Sequence, residues 1–277
     1  LALGDLGRSP RIQLHAASLA EAGCDVDLVG FGGAPCWLVG PFPRVSIRFV
    51  GDGRSHRSRM LRGLSLSLSL SRVLESLESP DVVLAQTPPA LPALFLAARF
   101  GRARGARVVF DWHNLGFSLL ALRTGPESPA VRLYRWAEGR SARGAHAHLC
   151  VTRRLGEELQ ARFGVQARVF EDRPSRAFAA ASENQRVLLR KEILSQVSVP
   201  DSDDLTIVIS PTSWTRDEDF DLLESAGAIL EGRAGAPIVF IISGRGELKA
   251  SFESRVAGRP WSRVRFATAW FEGSDYS

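Results

Sequence analysis

Short apolar runs alternate with amphipathic segments along the chain, a pattern typical of α/β proteins with buried parallel strands. In the first part of the chain the apolar runs that predict strands are residues 1–3, 26–31, 45–50, 81–86, 108–110, 146–152 and 167–170. In the second part they are residues 205–210, 238–243 and 264–267. We therefore predict two Rossmann-like domains, residues 1–172 and 205–277, joined by a linker of residues 173–204.

Two of the predicted helices allow more than one interpretation. Residues 64–71 alternate leucine and serine strictly, which favours a strand, but their apolar flanks favour a helix, and we predict a helix. Residues 90–100 form an apolar helix with arginines at and beyond its end. Such a helix can lie in a membrane interface, or it can pack on the sheet like any helix of an α/β layer.

Polar side chains follow the strand at residues 108–110, where Asp111, His113 and Asn114 precede Gly116. In open α/β sheets, ligands bind beyond the carboxyl ends of the strands. An aspartate and a histidine two residues apart can hydrogen-bond and supply acid–base chemistry near neutral pH. The alternative is that these groups only satisfy the backbone of a loop, and the residues alone leave both interpretations open.

The first strand leads into a helix whose start is well marked. Ser9 is a suitable N-cap and Pro10 a suitable first helical residue. Arg8 and Arg11 flank this helix N-terminus, which makes it a candidate anion site. The Gly-x-Gly-x-x-Gly pattern is absent here, so a nicotinamide or flavin dinucleotide is poorly supported.

The chain has a net charge of +5, which is distributed unevenly along the sequence. Residues 1–171 carry 22 arginines and 14 acidic residues, whereas residues 172–277 carry 13 basic and 16 acidic ones. Arginine suits phosphate groups, although a GC-rich coding sequence would also enrich it. We expect no exposed aromatic residues among the basic ones, and therefore we do not expect nucleic-acid binding.

Metal and disulfide sites are not predicted. Cys24, Cys36 and Cys150 are scattered, and His146 and His148 share a strand face without a third ligand. The chain opens at Leu1 directly on an apolar run, and we expect a further segment ahead of it.

Five stretches together resemble one protein family. They are residues 4–16 (GDLGRSPRIQLHA), 110–118 (FDWHNLGFS), 148–152 (HLCVT), 172–174 (DRP) and 212–220 (TSWTRDEDF). In this order they resemble the chitobiosyldiphosphodolichol β-mannosyltransferases, which add the first mannose during dolichol-linked oligosaccharide assembly. The resemblance implies the GT-B architecture, with a complete N-terminal Rossmann-like domain and a truncated C-terminal one.

The resemblance further implies a glycosyltransferase that moves mannose from GDP-mannose to the terminal GlcNAc of GlcNAc2-diphosphodolichol. The product is a β1,4 linkage, and the reaction takes place on the cytosolic face of the endoplasmic reticulum membrane. Because the donor is α-linked, the transfer inverts the anomeric carbon and needs a base for the acceptor hydroxyl. We expect His113 to be this base with Asp111 orienting it; the two roles can be exchanged, and Asp5 is a third candidate.

The resemblance also assigns roles to two further groups of residues. The acceptor diphosphate, or the donor phosphates, would contact Gly7, Arg8, Ser9 and Arg11. The GDP moiety would contact Thr212, Ser213, Gly244, Arg245 and Gly246.

No cofactor is required by the sequence, although a divalent cation such as Mg²⁺ could assist. Other mannosyltransferases of the pathway are possible partners, and the helices of residues 64–77 and 90–100 would rest on the membrane. The family's amino-terminal anchor does not precede Leu1, and the chain stops within the family's donor domain. We therefore expect this stretch to lack most of the guanosine contacts and to be inactive by itself. Two alternatives remain open: a non-catalytic GT-B relative that binds lipid or partner proteins, and another GT-B nucleotide-sugar enzyme such as an epimerase.

Overall fold

The computed structural model describes residues 1–51, 59–174 and 181–271, and the chain divides into two units, Leu1–Ser175 and Arg176–Ser277. The predicted positions 175–180 of the linker and 272–277 of the second domain lie outside the described residues. In the first unit the strands are β1 (Ala2–Asp5), β2 (Val26–Phe31), β3 (Val45–Phe49), β4 (Val82–Thr87), β5 (Arg107–Trp112), β6 (Ala147–Cys150) and β7 (Arg168–Val169). Its helices are α1 (Pro10–Glu21), α2 (Arg59–Glu75), α3 (Ala93–Ala103), α4 (Gly116–Thr124), α5 (Pro129–Ala142) and α6 (Arg153–Phe163), and a 3₁₀ turn spans Leu6–Arg8.

These strands form one parallel sheet in the order β3-β2-β1-β4-β5-β6-β7. The order reverses direction between β1 and β4, which creates a topological switch point beside the carboxyl end of β1. The doubly wound α/β fold predicted for this part of the chain is therefore confirmed.

Strand β5 lies between β4 and β6, and three of its apolar side chains are completely buried. Val108, Phe110 and Trp112 are 0% exposed and lie in the main core together with residues of α3. A Cβ on Gly101 of α3 would overlap the side chain of Val108, so only glycine permits this close helix–strand approach. Most apolar residues of α3 face the core, so α3 packs on the sheet as a helix of the α/β layer.

The leucine–serine repeat belongs to helix α2, as predicted, because its leucines separate into two faces. Leu70 and Leu74 lie one turn apart and are buried in the core. Leu64 and Leu68 lie on the opposite side and are exposed. The hydroxyl of Ser67 donates to the carbonyl of Gly63 one turn earlier (2.8 Å), which is how a serine is accommodated inside a helix.

The second unit is a smaller parallel α/β structure. Its described elements are α7 (Glu183–Gln196), β8 (Thr206–Pro211), α8 (Phe220–Glu231), β9 (Ile238–Ser243), α9 (Lys249–Ala257) and β10 (Val264–Ala269), with strand order β10-β9-β8. All six residues of the central strand β9 are buried. One face of β9 packs on an aromatic cluster that contains Trp214, and the other face packs on residues that include Leu194 of α7.

This packing corrects one predicted boundary. Residues 173–204 were expected to be a linker, but Leu194 and Val199 are buried against Val239 and Ile241 of β9. Helix α7 is therefore part of the second unit, because its apolar residues cover one face of that unit's sheet. Helices α4, α6 and α9 were not predicted, although α6 carries clear signals in its N-cap Thr152 and its left-handed Gly164.

None of the helices in the described ranges is both long enough and apolar enough to cross a membrane.

Candidate active site

Five polar side chains form one continuous hydrogen-bonded network at the carboxyl edge of the first sheet. The members of this network are His113, Asp172, Arg11, Asp111 and His15, in the order of their contacts. His113 lies in the loop after β5 and Asp172 in the loop after β7. Arg11 and His15 lie in helix α1, and Asp111 lies in strand β5. Three of the stretches that carry the family resemblance therefore meet at a single place.

Asp111 forms the buried centre of the network. It is 0% exposed and accepts two hydrogen bonds of 2.7 Å from Arg11, one from Nε and one from a terminal nitrogen. Nε2 of His15 lies 3.1 Å from the same carboxylate. Burial by itself raises the pKa of Asp111, but the contacts with Arg11 and His15 outweigh burial and lower it to about 2.

This geometry corrects the predicted pairing of Asp111 with His113. Among the described residues, the carboxylate of Asp111 is hydrogen-bonded to Arg11 and His15. A buried carboxylate with a pKa of about 2 and a bidentate guanidinium partner is a poor proton acceptor near neutral pH. The role of base that was left open for Asp111 is therefore not supported by its surroundings.

His113 has Asp172 as its partner instead. Nε2 of His113 lies 3.1 Å from Oδ2 of Asp172, and the two side chains are 45% and 54% exposed. The other oxygen of Asp172 accepts a 2.7 Å bond from Arg11. If Nε2 donates to Asp172, Nδ1 of His113 is the nitrogen that can accept a proton. An accessible imidazole with an anchored carboxylate partner suits a general base.

Arg11 is buried and makes its contacts inside the protein. Its side chain is 7% exposed, and its three nitrogens bond to Asp111, Asp172 and the carbonyl of Phe170. Four of its five N–H donors are therefore used within the protein, which does not favour the predicted phosphate contact of Arg11, and that contact stays a prediction. The guanidinium also lies over the ring of Phe170, which stacks on His15.

Asp5 holds together the two loops that follow β1 and β2. Its carboxylate accepts hydrogen bonds from the backbone amides of Gly7 (3.0 Å) and Ala34 (3.1 Å). A Cβ on Gly7 would overlap the backbone of Ala34, so glycine is needed at this approach. These bonds make Asp5 a loop anchor, and its role as a base stays a prediction.

Arg8 and Ser9 lie at the amino end of α1, where they were predicted. The side chain of Arg8 is 82% exposed and its Nε is 3.6 Å from Asp5. The hydroxyl of Ser9 donates to the carbonyl of Asp5 (2.8 Å), and it does not cap the helix with its side chain. Arg8 is thus the accessible cation of the predicted phosphate-binding group.

Helix α5 supports the loop that carries His113. The carboxylate of Glu138 is fully buried and accepts from the backbone amides of Gly116 (2.8 Å) and Phe117 (3.1 Å), at the start of α4. Burial raises the pKa of Glu138, and the two amide bonds oppose this rise. A Cβ on Gly116 would come within 3 Å of the ring of Tyr134, which explains the glycine at this position. The start of α4, three residues after His113, is therefore fixed by α5.

In the second unit, the predicted donor-binding residues lie in two loops that contact each other. Thr212 follows β8, and its hydroxyl donates a hydrogen bond to the carboxylate of Glu218. The same hydroxyl oxygen accepts a hydrogen bond from the backbone amide of Trp214 (3.1 Å). Glu218 also accepts from the amide of Ser213 (3.3 Å). The carboxylate thus organises this loop as a compact turn at the carboxyl edge of the second sheet.

The glycines after β9 permit this contact between the loops. A Cβ on Gly244 would overlap the carbonyl of Thr212, and a Cβ on Gly246 would overlap the carbonyl of Ser213. Between them, the guanidinium of Arg245 lies 4.1 Å from the centre of the exposed ring of Trp270. The structure brings these predicted residues together, while their binding of GDP stays a prediction.

Metal-binding clusters are not found within the described ranges. Nδ1 of His146 accepts from the amide of Val108 (2.9 Å), and Nδ1 of His148 accepts from the indole of Trp112 (3.1 Å). Burial lowers the pKa of His148 to about 4. Both histidines therefore serve the packing of β5 and β6.

Comparison with known proteins identifies the family. Residues 7–170, which contain most of the network, match the glycosyl transferase 4-like domain. The chain belongs to the glycosyl transferase 4-like family.

Two solved structures share the fold of this family member at low identity. The trehalose-6-phosphate phosphatase N-terminal domain of Candida albicans has a TM-score of 0.57 and 12% identity, covering 95% of this chain and 69% of that one. Phytolacca americana UGT2 has a TM-score of 0.52 and 13% identity, covering 99% and 71%. The predicted GT-B glycosyltransferase fold is confirmed.

Curated relatives of this glycosyl transferase 4-like chain match it over nearly its whole length. The UDP-glycosyltransferase TURAN of Arabidopsis thaliana is 31% identical, with coverage of 99% of this chain and 72% of that protein. Chitobiosyldiphosphodolichol β-mannosyltransferases of Yarrowia lipolytica and Mus musculus are 32% and 31% identical over 100% and 99% of this chain. The predicted resemblance to these mannosyltransferases is confirmed. The chain spans 63% and 65% of the length of these two mannosyltransferases.

Three residues that belong to the candidate site or support it were not predicted from the sequence. His15 follows Arg11 by four residues, so the two share a helix face and could have been predicted to share a partner. Asp172 belongs to a stretch that the resemblance used, but no local pattern links it to His113. Glu138 falls in line with the inward-facing Val131 and Ala142 of α5, a spacing that places it on the buried face of the helix.

Proposed function

We propose that this chain carries the acceptor side of an inverting glycosyltransferase that moves mannose from GDP-mannose to GlcNAc2-diphosphodolichol. The product would contain a β1,4 linkage, and the reaction would take place at the cytosolic face of the endoplasmic reticulum membrane. The family and the names of the mannosyltransferase relatives support this assignment. The observation that carries it is the network that joins His113, Asp172, Arg11, Asp111 and His15 at one sheet edge.

The proposed chemistry assigns a separate task to each part of the network. His113 removes the proton from the acceptor hydroxyl as that oxygen attacks the anomeric carbon of mannose, and GDP departs from the opposite side. Asp172 orients the ring and stabilises the imidazolium that forms. Arg11 fixes Asp172, and the buried Asp111 fixes Arg11. The exposed Arg8, at the amino end of α1, would contact a phosphate group.

The donor side would use the two loops of the second unit. Backbone amides near Ser213 and Gly246 could bind the diphosphate, and Arg245 could leave the ring of Trp270 to pair with it. A divalent cation and other mannosyltransferases of the pathway are further proposed partners. The name of the TURAN relative refers to UDP, so the donor nucleotide has to be measured.

The experiment measures transfer of radiolabelled mannose from GDP-mannose to GlcNAc2-diphosphate-phytanyl by the protein made from the full reading frame. UDP-glucose and UDP-GlcNAc serve as competing donors, and parallel reactions contain EDTA. Transfer from GDP-mannose alone supports the proposal. Transfer from a UDP-sugar alone, or folded protein without any transfer, contradicts it.

Variants test the role of His113. We expect His113→Ala to lower turnover by roughly 10²- to 10⁴-fold, the usual contribution of a general base. We expect Asp172→Asn to lower it less, because the ring loses orientation but remains present. His146→Ala is the matched control, since His146 precedes β6 at the amino edge of the same sheet. Loss of GDP binding in parallel with turnover would make His113 a structural residue instead.

A further inference from the structure

Helices α3 and α5 present a strongly basic outer surface that the proposed reaction does not use. Six exposed arginines line it: Arg99, Arg102, Arg132, Arg135, Arg140 and Arg143. Together with Trp136 these residues are called the arginine–tryptophan surface below. None of the six arginines makes an ion pair or a side-chain hydrogen bond to any other residue in the described part of the chain.

The acidic residues of these two helices do not offset this charge. Helix α3 contains no acidic residue, and Glu138 is the one acidic residue of α5. Glu138 faces inward, is fully buried and binds backbone amides of α4. The charge of the six arginines is therefore available to an external anionic partner.

Two adjacent grooves shape this surface. A groove of about 280 Å³ lies between Arg132, Arg135, Arg143 and Trp136. A second groove of about 460 Å³ is lined by Arg99 and Arg102 of α3. Arg140 lines both grooves, so the two grooves are adjacent. Guanidinium groups around a hollow are suited to phosphate oxygens, which they can bind in bidentate fashion.

Large apolar side chains project from the same two helices. Trp136 is 68% exposed, Leu133 is 65% exposed and Phe95 is 57% exposed. On α5, Arg132, Trp136, Arg140 and Arg143 follow one another at spacings of three or four residues, so they share one helix face. Tryptophan and leucine beside arginine characterise helices that lie in a lipid interface, where the ring enters the headgroup layer.

We propose that the arginine–tryptophan surface binds the phosphates of anionic phospholipids on a membrane surface. The arginines contact the headgroups, while Trp136, Leu133 and Phe95 insert between them. Nucleic acid would also be attracted to the charge, but the exposed leucine and phenylalanine favour a lipid interface over an RNA surface. This proposal rests on the proposed membrane location. Its test measures lipid binding and not sugar transfer, so the lipid-binding proposal and the proposed function can each fail independently.

The experiment measures co-sedimentation of the protein with phosphatidylcholine vesicles that contain either no phosphatidylserine or about 30% phosphatidylserine. Each basic residue close to an anionic membrane contributes roughly fivefold to binding. We therefore expect the variant Arg132→Gln/Arg135→Gln/Arg140→Gln/Arg143→Gln to bind at least tenfold more weakly. Binding by the unmodified protein should also fall with added salt.

Three controls make the result decisive. The variant Arg153→Gln/Arg168→Gln/Arg233→Gln/Arg265→Gln removes the same charge from exposed positions elsewhere and should keep most of the binding. Equal loss in both variants would mean that only net charge matters and would overturn the proposal.

The second control is Leu64→Ser/Leu68→Ser, which removes exposed leucines of α2. Loss of binding in this variant, with none in the arginine variant, would place the contact on α2 and overturn the proposal. In the third control, single-stranded RNA competes with the vesicles. RNA binding that is tighter than vesicle binding, and is lost in the arginine variant, would identify nucleic acid as the partner instead.

Discussion

Replacement of Asp111 by asparagine tests the idea that a buried ion pair holds the candidate active site together. The substitution keeps the size of the side chain but removes the charge that Arg11 faces. Because Asp111 is 0% exposed, water cannot replace the lost carboxylate. Arg11 still has Asp172 as a partner. The guanidinium therefore loses one of its two carboxylate partners and is not left without a counter-charge.

The expected magnitude follows from the pKa of Asp111. The structure lowers this pKa from 3.8 to about 2. A shift of this size corresponds to about 2 kcal/mol of stabilisation of the ionised form. Removal of one partner from a buried pair typically costs about 3–5 kcal/mol. We therefore expect Asp111→Asn to lower the free energy of unfolding of the first unit by about 2–3 kcal/mol at pH 7.

The pH dependence has a definite sign. The folded pKa is depressed, so the stabilisation is fully present above the unfolded pKa near 4 and is lost as the pH falls towards 2. The difference in the free energy of unfolding between the unmodified protein and Asp111→Asn should therefore be constant from pH 7 to pH 5 and should become smaller at pH 3.

Pulse proteolysis in urea measures this difference, with thermolysin at pH 7 and pepsin at pH 3, and mass spectrometry assigns the fragments to the first unit. The matched control is Glu127→Gln, an exposed carboxylate of the same unit, which should change stability by less than about 0.5 kcal/mol. If Asp111→Asn behaves like Glu127→Gln, or if its effect is as large at pH 3 as at pH 7, the buried pair does not stabilise the site as argued.

Three further predictions concern the supports around the two candidate sites. Glu138→Leu removes the acceptor of two backbone amides and should destabilise the first unit by about 2 kcal/mol, whereas Glu138→Gln keeps one acceptor and should cost less; urea unfolding that finds the two variants equal would contradict this. Gly244→Ala would force a Cβ against the carbonyl of Thr212 and should lower the melting temperature of the second unit, while Gly63→Ala, which meets no atom within 4 Å, should not lower stability. Burial lowers the pKa of His148 from 6.5 to about 4, so folding is disfavoured progressively as the pH falls from 6.5 towards 4; a His148→Gln variant should show a flatter pH profile of urea midpoints, and an unchanged profile would refute the assignment.

Local sequence determined the elements of this protein where a single pattern was decisive. Strands β2 and β9 have the predicted limits, because the apolar run of a buried parallel strand depends only on neighbouring residues. The same holds for the polar residues at the strand ends, since parallel strands deliver their carboxyl ends to one edge. The family resemblance also rested on short stretches in a fixed order, which sequence alone displays.

Tertiary structure decided which of these residues interact. Asp111 and His113 are neighbours in the chain, yet Asp111 bonds to Arg11 and His15, while His113 bonds to Asp172. The pairing depends on side chains separated by 59 to 161 positions, and no local periodicity encodes contacts at that distance. Strand alternation supplies the physical reason. Asp111 lies between Phe110 and Trp112, which are buried in the main core, so its side chain points to the opposite face of the sheet, where it meets Arg11 of α1. The sequence by itself determined that acid–base and cationic groups gather at this edge, and only the tertiary structure decided that Arg11 of α1 reaches Asp111 of β5 and supports it.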